Sequence, residues 1–199
     1  MGMHPQMAII CENTLSSMAL RSLLSDMVPG IDVVCYGSVE EFREANPVVA
    51  HFFISANILF HNAEMFQPIM RRTIVITEGE ASPFVQSGFH TIDAMASEQQ
   101  IVRSILQIHS AGHPNGHNPH QQCAAKAEAQ QPLLSARERD VLALVVKGFI
   151  NKEIAERLNI SLATVIFHRN NISEKLQTRS IGRLTIYAVL NNIVQLSDI

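Results

Sequence analysis

Two amphipathic helical patterns stand three residues apart near the end of this 199-residue chain, a spacing that few folds can accommodate. NKEIAERL (151–158) puts Ile154, Ala155 and Leu158 on one face, with Asn151 as the expected N-cap. A tight turn, Asn159-Ile160-Ser161, then leads into a second pattern predicted to be helical from Leu162 to Gln177. A further helix is predicted upstream, opened by Ser135 with Glu138 three residues later and closed at Gly148; its core face is Val141, Leu142, Leu144 and Val145. A fourth is predicted over 180–194.

Two short helices joined in this way form a helix-turn-helix, whose second helix enters the major groove of DNA. At about 100° per residue, Val165, Ile172 and Leu176 fall within about 20° of one line and must face a core. The opposite side carries Ala163, Phe167, Asn170 and Glu174, flanked by Ile166 and Asn171. Asn can bond adenine through two hydrogen bonds, and Phe or Ile can touch a thymine methyl. Arg169, Lys175 and Lys152 are placed for phosphates, contacts that orient a protein on DNA without specifying sequence.

The stretch LSARERDVLALVVKGFINKEIAERLNISLATVIFHRNNISEKL resembles the C-terminal domain of LuxR/NarL-type regulators. The shared positions include Leu134-Ser135, Arg137-Glu138-Arg139, Gly148, Asn151 to Ala155, Leu158, Ile160-Ser161, Thr164-Val165, His168, Ile172 and Lys175-Leu176. The resemblance covers residues 133–195 and implies a four-helix domain whose third helix reads double-stranded DNA and whose fourth can pair two subunits. Carried over by position, it implies base-reading sites at Ile166, Phe167 and Asn170, and backbone contacts near Lys152, Thr164, His168 and Lys175. Two departures stand out: Ile166, where the family usually has Lys, and Ile150, where it usually has a small polar residue. Losing that Lys shifts readout from hydrogen bonding toward apolar contact.

Upstream lies HSAGHPNGHNPHQQCAAKAEAQQP (109–132), without apolar periodicity and read as a flexible linker. Its His113, His117 and His120, with Cys123, are weak metal candidates; Pro114, Pro119 and the intervening Gly residues forbid the helix that would align them. Charge changes sign across this stretch. Residues 1–132 hold 6 Lys and Arg against 12 Asp and Glu, whereas 133–199 hold 9 against 6. An acidic partner domain joined to a nucleic-acid binder fits that asymmetry.

Residues 7–108 alternate strand and helix signals. Strands are predicted at 8–11, 31–36, 48–55 and 73–77, with a short fifth inside GFHTIDAM. Helices are predicted around Met18 to Met27, at 38–45 behind a Ser38/Glu41 capping box, and at 97–109 behind Ser97. ILFHNAEMFQPIM is weakly helical, and the interval after the fourth strand is too short for a full helix. Such alternation predicts a parallel five-stranded α/β domain of flavodoxin-like layout. Beside the LuxR/NarL-like domain, this region resembles a receiver.

Receiver chemistry needs an acidic pair after strand one for Mg²⁺, an Asp nucleophile after strand three, Thr or Ser after strand four, and Lys after strand five. Here Cys11-Glu12-Asn13 follows strand one, Ser55 with Asn57 nearby follows strand three, and Thr77 follows strand four. The first Lys of the chain is Lys126. The pocket Glu12, Ser55, Thr77 therefore reads as a degenerate receiver site, leaving dimerisation or contact with a protein partner or ligand as the domain's role.

No phosphate-cradling Gly-rich loop, nucleophile elbow or close carboxylate pair after a strand is present, so no enzyme is expected and no cofactor is implied. Three widely spaced Cys do not form a disulfide framework, no signal peptide is apparent, and no apolar run approaches membrane-spanning length, so a cytoplasmic protein is expected. The resulting expectation is a homodimeric, DNA-binding transcription regulator with a phosphorylation-incompetent receiver. The alternatives are a phosphorylation-dependent response regulator and a protein-binding module that has lost DNA binding.

Overall fold

The computed structural model describes residues 6–28, 30–79, 81–111 and 133–199. The expected linker over 109–132 is corrected at its start, because 109–111 are helical; the rest of it, with His113, His117, His120 and Cys123, lies outside the described residues. The chain divides into two units, Met1–Ile105 and Leu106–Ile199.

The first unit is built on five parallel strands, β1 (Gln6–Ile10), β2 (Val33–Tyr36), β3 (Val49–Ser55), β4 (Thr73–Thr77) and β5 (His90–Asp93), in the order β2-β1-β3-β4-β5. That is the flavodoxin-like layout. Its central strands are near-continuous apolar runs because both faces are covered: Ile9, Ile10, Ile54, Ile74 and Val75 have no exposed surface. The crossovers carry α1 (Thr14–Met27), α2 (Val39–Ala45), α3 (Ala56–His61), α4 (Ala63–Phe66) and α5 (Ser82–Gln86), and α6 (Glu98–Ala111) follows β5. A 3₁₀ segment, Gln67–Arg72, ends the weakly helical stretch, with Pro68 in its first turn. The helix after β4 is reduced to the five residues of α5, as the short interval predicts. Tyr36, Phe42, Phe52 and Phe66 pack edge to face in a chain with centroids 5.4–5.8 Å apart.

Two local expectations are corrected. The Ser38 hydroxyl accepts from Glu41 N at 3.2 Å, but the Glu41 carboxylate reaches Gly37 N at 2.7 Å, one residue before the cap. The first strand spans Gln6–Ile10, so Cys11 lies just past it, buried, while Cys35 is half-buried in β2.

The second unit is helical: α7 (Ala136–Val146), α8 (Asn151–Leu158), α9 (Leu162–Lys175) and α10 (Ile181–Leu190), with a final 3₁₀ turn at Leu196–Asp198. The α7 capping box forms in full, with Ser135 Oγ accepting from Glu138 N and Glu138 Oε2 accepting from Ser135 N. All four helices close through left-handed residues, Gly148, Asn159, Gln177 and Asn192. After α7, Gly148 N donates to Val145 O and Phe149 N to Leu144 O, the paired bonds of a Schellman motif.

The expected α8 cap is corrected. Ile150 holds the N-cap position, and Asn151 is the first helical residue. Only half a capping box forms, because Glu153 Oε2 accepts from Ile150 N at 2.9 Å while Ile150 has no side-chain oxygen to return. The last helix is shorter than its apolar pattern, ending at Leu190. Most of its apolar excess is absorbed within the bundle: Leu184, Val189, Leu190 and Val194 are buried, Ile186 and Ile193 half-buried, and Ile181 exposed. Among the described residues, no helix is long and apolar enough to cross a membrane.

Candidate nucleic-acid interface

Three residues, Asn159 to Ser161, separate α8 from α9. Asn159 turns the chain in the left-handed region, with φ of 50°, and Ser161 starts α9 by accepting from Thr164 N at 3.1 Å. Val165, Ile172 and Leu176 are buried to 1% exposure or less and fix α9 against α7 and α8. That anchoring turns the other side outward. Ile166 and Phe167 are 44% and 60% exposed, and Asn170 is exposed beside them. The three expected base-reading residues thus share one solvent-facing side of one helix. Leu162, at the helix start, extends the apolar strip.

The expected backbone-contact residues fall into two groups. Lys152 is exposed in the first turn of α8, and Thr164 is half-buried, its hydroxyl 2.8 Å from that of Ser161. The other three are engaged within the bundle. Arg169 Nη1 donates to Asn151 Oδ1 at 2.7 Å, binding α9 to the start of α8. Lys175 Nζ donates to Glu138 Oε2 at 2.7 Å. His168 is half-buried with its Nδ1 buried and without a hydrogen-bond partner, and its ring meets that of Phe167 edge-on at 5.7 Å.

Glu138 was legible as a capping residue but not as an electrostatic anchor. It is 3% exposed. Burial opposes its charge, yet hydrogen bonds from Lys175 and Ser135 outweigh that cost and hold its carboxyl below the ordinary range. Arg137 Nη2 donates to Leu158 O at 2.6 Å, satisfying a carbonyl in the last turn of α8. Arg157 lies 4.1 Å from the ring centre of Phe149, a cation–π contact. Sequence reasoning also passed over Arg179. With Arg169 and Asn170 it lines an open cleft of about 310 Å³ whose other walls include Val145, Ile172 and Leu184. Its only sequence signal is a positive charge just beyond the second helix of the motif.

Residues 132–188 match the family described as bacterial regulatory proteins, luxR family. The second unit carries a LuxR-type helix-turn-helix domain. The chain is 47% identical over 51 residues to the tetrathionate response regulatory protein TtrR of Salmonella typhimurium, covering 26% of this chain and 25% of that protein. It is 46% identical over 67 residues to the transcriptional regulatory protein MctR of Rhizobium johnstonii, covering 34% and 31%. The matches span less than a third of either relative. Over nearly the whole chain, the fold is similar to that in a structure of two RcsB dimers bound to two parallel DNAs, with a TM-score of 0.61, 15% identity, and coverage of 94% of this chain and 99% of that one. The first unit accordingly has a receiver-like fold.

Within that receiver-like unit, the residues at the carboxyl ends of β1 and β3 come together. Ser55 Oγ donates to Glu12 Oε2 at 2.6 Å, and Asn57 Nδ2 donates to Glu12 Oε1 at 2.9 Å. Partial burial opposes the Glu12 charge, but these two bonds, its own backbone N–H and nearby His61 hold the carboxyl below its usual value. Thr77 is placed at the end of β4 but directs its hydroxyl sideways to Ile92 O at 3.4 Å. At the end of β5, Asp93 Oδ1 accepts from Gly79 N and Met95 N. Among the described residues, no group of three or more His, Cys, Asp or Glu is arranged to hold a metal ion.

Proposed function

We propose that this protein is a sequence-specific DNA-binding transcription regulator acting as a homodimer in the cytoplasm, with a receiver-like domain over 7–108, a spacer within 109–132 that begins after the end of α6, and a DNA reader over 133–199. The observation that carries this reading is the outward face of α9 within a LuxR-type domain. Ile166, Phe167 and Asn170 meet base edges there. Lys152, Thr164, His168, Arg169 and Lys175, joined by Arg179, lie toward the phosphates, with Arg169 and Lys175 keeping their bonds to Asn151 and Glu138. A dimer follows from the use of two half-sites by readers of this geometry.

The first domain, in this proposal, is not switched by aspartyl phosphate. Ser55 stands at the end of β3, where the reaction needs a carboxylate nucleophile, and its hydroxyl is committed to Glu12. No Lys precedes residue 126 to neutralise an acyl phosphate. The domain then serves dimerisation or binds a protein partner or ligand. Incubation with acetyl phosphate and Mg²⁺ followed by intact-mass spectrometry should show no added phosphoryl group; a stoichiometric, hydroxylamine-labile adduct would refute this part.

The reader is tested by selecting bound duplexes from a random pool and measuring affinity by anisotropy at two salt concentrations. An inverted-repeat consensus is expected, and a protein with both Phe167→Ala and Asn170→Ala should retain only weak, steeply salt-dependent binding. Equal binding by both proteins without a consensus would contradict the reading.

A further inference from the structure

The reading face of α9 has an unusual chemistry for its first two turns. Leu162, Ala163, Ile166 and Phe167 are all exposed, and no ionised side chain lies between residues 162 and 168. Three of these are large apolar groups, 41%, 44% and 60% exposed. A contiguous apolar strip in water marks an interaction surface. Asn170, one turn beyond Ile166, is the first residue along this face able to make paired hydrogen bonds to a base.

The occupant is indicated by the surroundings of the strip. It lies on the second helix of a helix-turn-helix, with Arg169 and Arg179 beside Asn170 in one cleft and Lys152 exposed at the start of α8, next in sequence to the Asn151 that Arg169 bonds. A polyanion whose inner surface is apolar fits that arrangement. In the major groove the base-edge apolar group is the C5-methyl of thymine, and 5-methylcytosine carries the same group at the same place. From Leu162 to Asn170 the helix rises about 12 Å, the length of three to four base steps.

Resting on the DNA-reading proposal above, we infer that the reader recognises C5-methylated pyrimidines: Ile166 and Phe167 pack on methyl groups in the major groove while Asn170 bonds a neighbouring adenine. The half-site is therefore rich in T·A pairs and is read largely by the methyls rather than by base hydrogen bonds. Cytosine methylated at C5 substitutes for thymine at the Ile166 and Phe167 positions, and unmethylated cytosine does not.

The experiment uses the full-length chain and a duplex of the selected consensus. Each thymine is replaced in turn by deoxyuridine, which deletes only the methyl, by 5-methylcytosine paired with guanine, and by cytosine paired with guanine. Deoxyuridine at a contacted position should weaken binding about fourfold per methyl, the loss expected for one buried methyl. 5-Methylcytosine should bind better than cytosine by a similar factor. Ile166→Ala and Phe167→Ala, which truncate exposed side chains and leave the core intact, should each abolish the thymine–deoxyuridine difference at one position. Asn170→Ala should keep that difference while losing preference for adenine. A firm consensus bound equally with thymine and deoxyuridine would overturn this inference and leave the DNA-reading proposal standing. Absence of any consensus would overturn both.

Discussion

The ammonium of Lys175, at the end of α9, lies 2.7 Å from Oε2 of Glu138 in the first turn of α7. The same oxygen accepts from Ser135 N at 2.7 Å, so one carboxylate joins a helix cap to the far end of the reading helix. Glu138→Ala should destabilise the second unit by about 2 kcal/mol in denaturant titration, less than for a fully buried pair because the Lys175 side chain is partly solvated. The folded-state value of Glu138 is depressed, so its contribution is complete above the unfolded value of about 4.3 and disappears as pH falls through the lower folded value. The protection of α7 and α9 amides from hydrogen exchange, taken relative to the intrinsic rate at each pH, should therefore fall in acid below the ordinary carboxylate range, and Glu138→Gln should remove that dependence.

Gly148 closes α7 with φ of 87°, and a Cβ placed there would meet nothing within 4 Å. The cost of a side chain is then conformational rather than steric crowding by neighbours. Gly148→Ala should lower stability by about 1 kcal/mol, and Gly148→Asn by less, since Asn tolerates the left-handed region. Equal losses would show that strain at this position is not the cause.

Lys152 is exposed at the start of α8. Under the proposed function, Lys152→Ala should leave the selected consensus unchanged and make the logarithmic salt slope shallower by about 0.9, one phosphate contact. A changed consensus would instead make Lys152 a base reader.

Ser55 both caps α3, through Ile58 N at 3.3 Å, and bonds Glu12. Ser55→Ala should cost about 1 kcal/mol of first-unit stability from the lost cap. It should also move the Glu12 carboxyl upward in a ¹³C-detected pH titration, because one of the bonds favouring its charged form is gone. An unmoved titration would mean that Asn57 and the backbone suffice.

The features legible in the sequence were those with a local cause. Apolar periodicity identified the strands and the buried line of α9 through Val165 and Ile172, and the outward position of Phe167 followed from it. Ser135 and Gly148 marked helix ends through backbone chemistry that needs no distant partner. Illegible were the bonds that cross the fold. Arg169 and Lys175 read as free cations until α8 and α7 placed Asn151 and Glu138 beside them. Asn151 looked like a cap because of its residue type, but its carbonyl oxygen holds Arg169 instead. Nothing local showed that the small bundle surrounds Ile186 of α10 and Ile193 beyond it on enough sides to half-bury them. Thr77 was located correctly, but nothing local showed that its hydroxyl turns toward β5.

The strand order β2-β1-β3-β4-β5 also governs the timing of assembly. Every neighbouring pair in that sheet is parallel and separated by a crossover, so no strand can zip up against the next through a hairpin. Loop closure must precede each pairing, which slows the search. The helices of the second unit instead meet neighbours joined by a few residues, as in α8 and α9. Refolding from denaturant should thus show two kinetic phases, the helical unit regaining structure in the faster one. On the ribosome, the unit made second of the two is the one that needs less time.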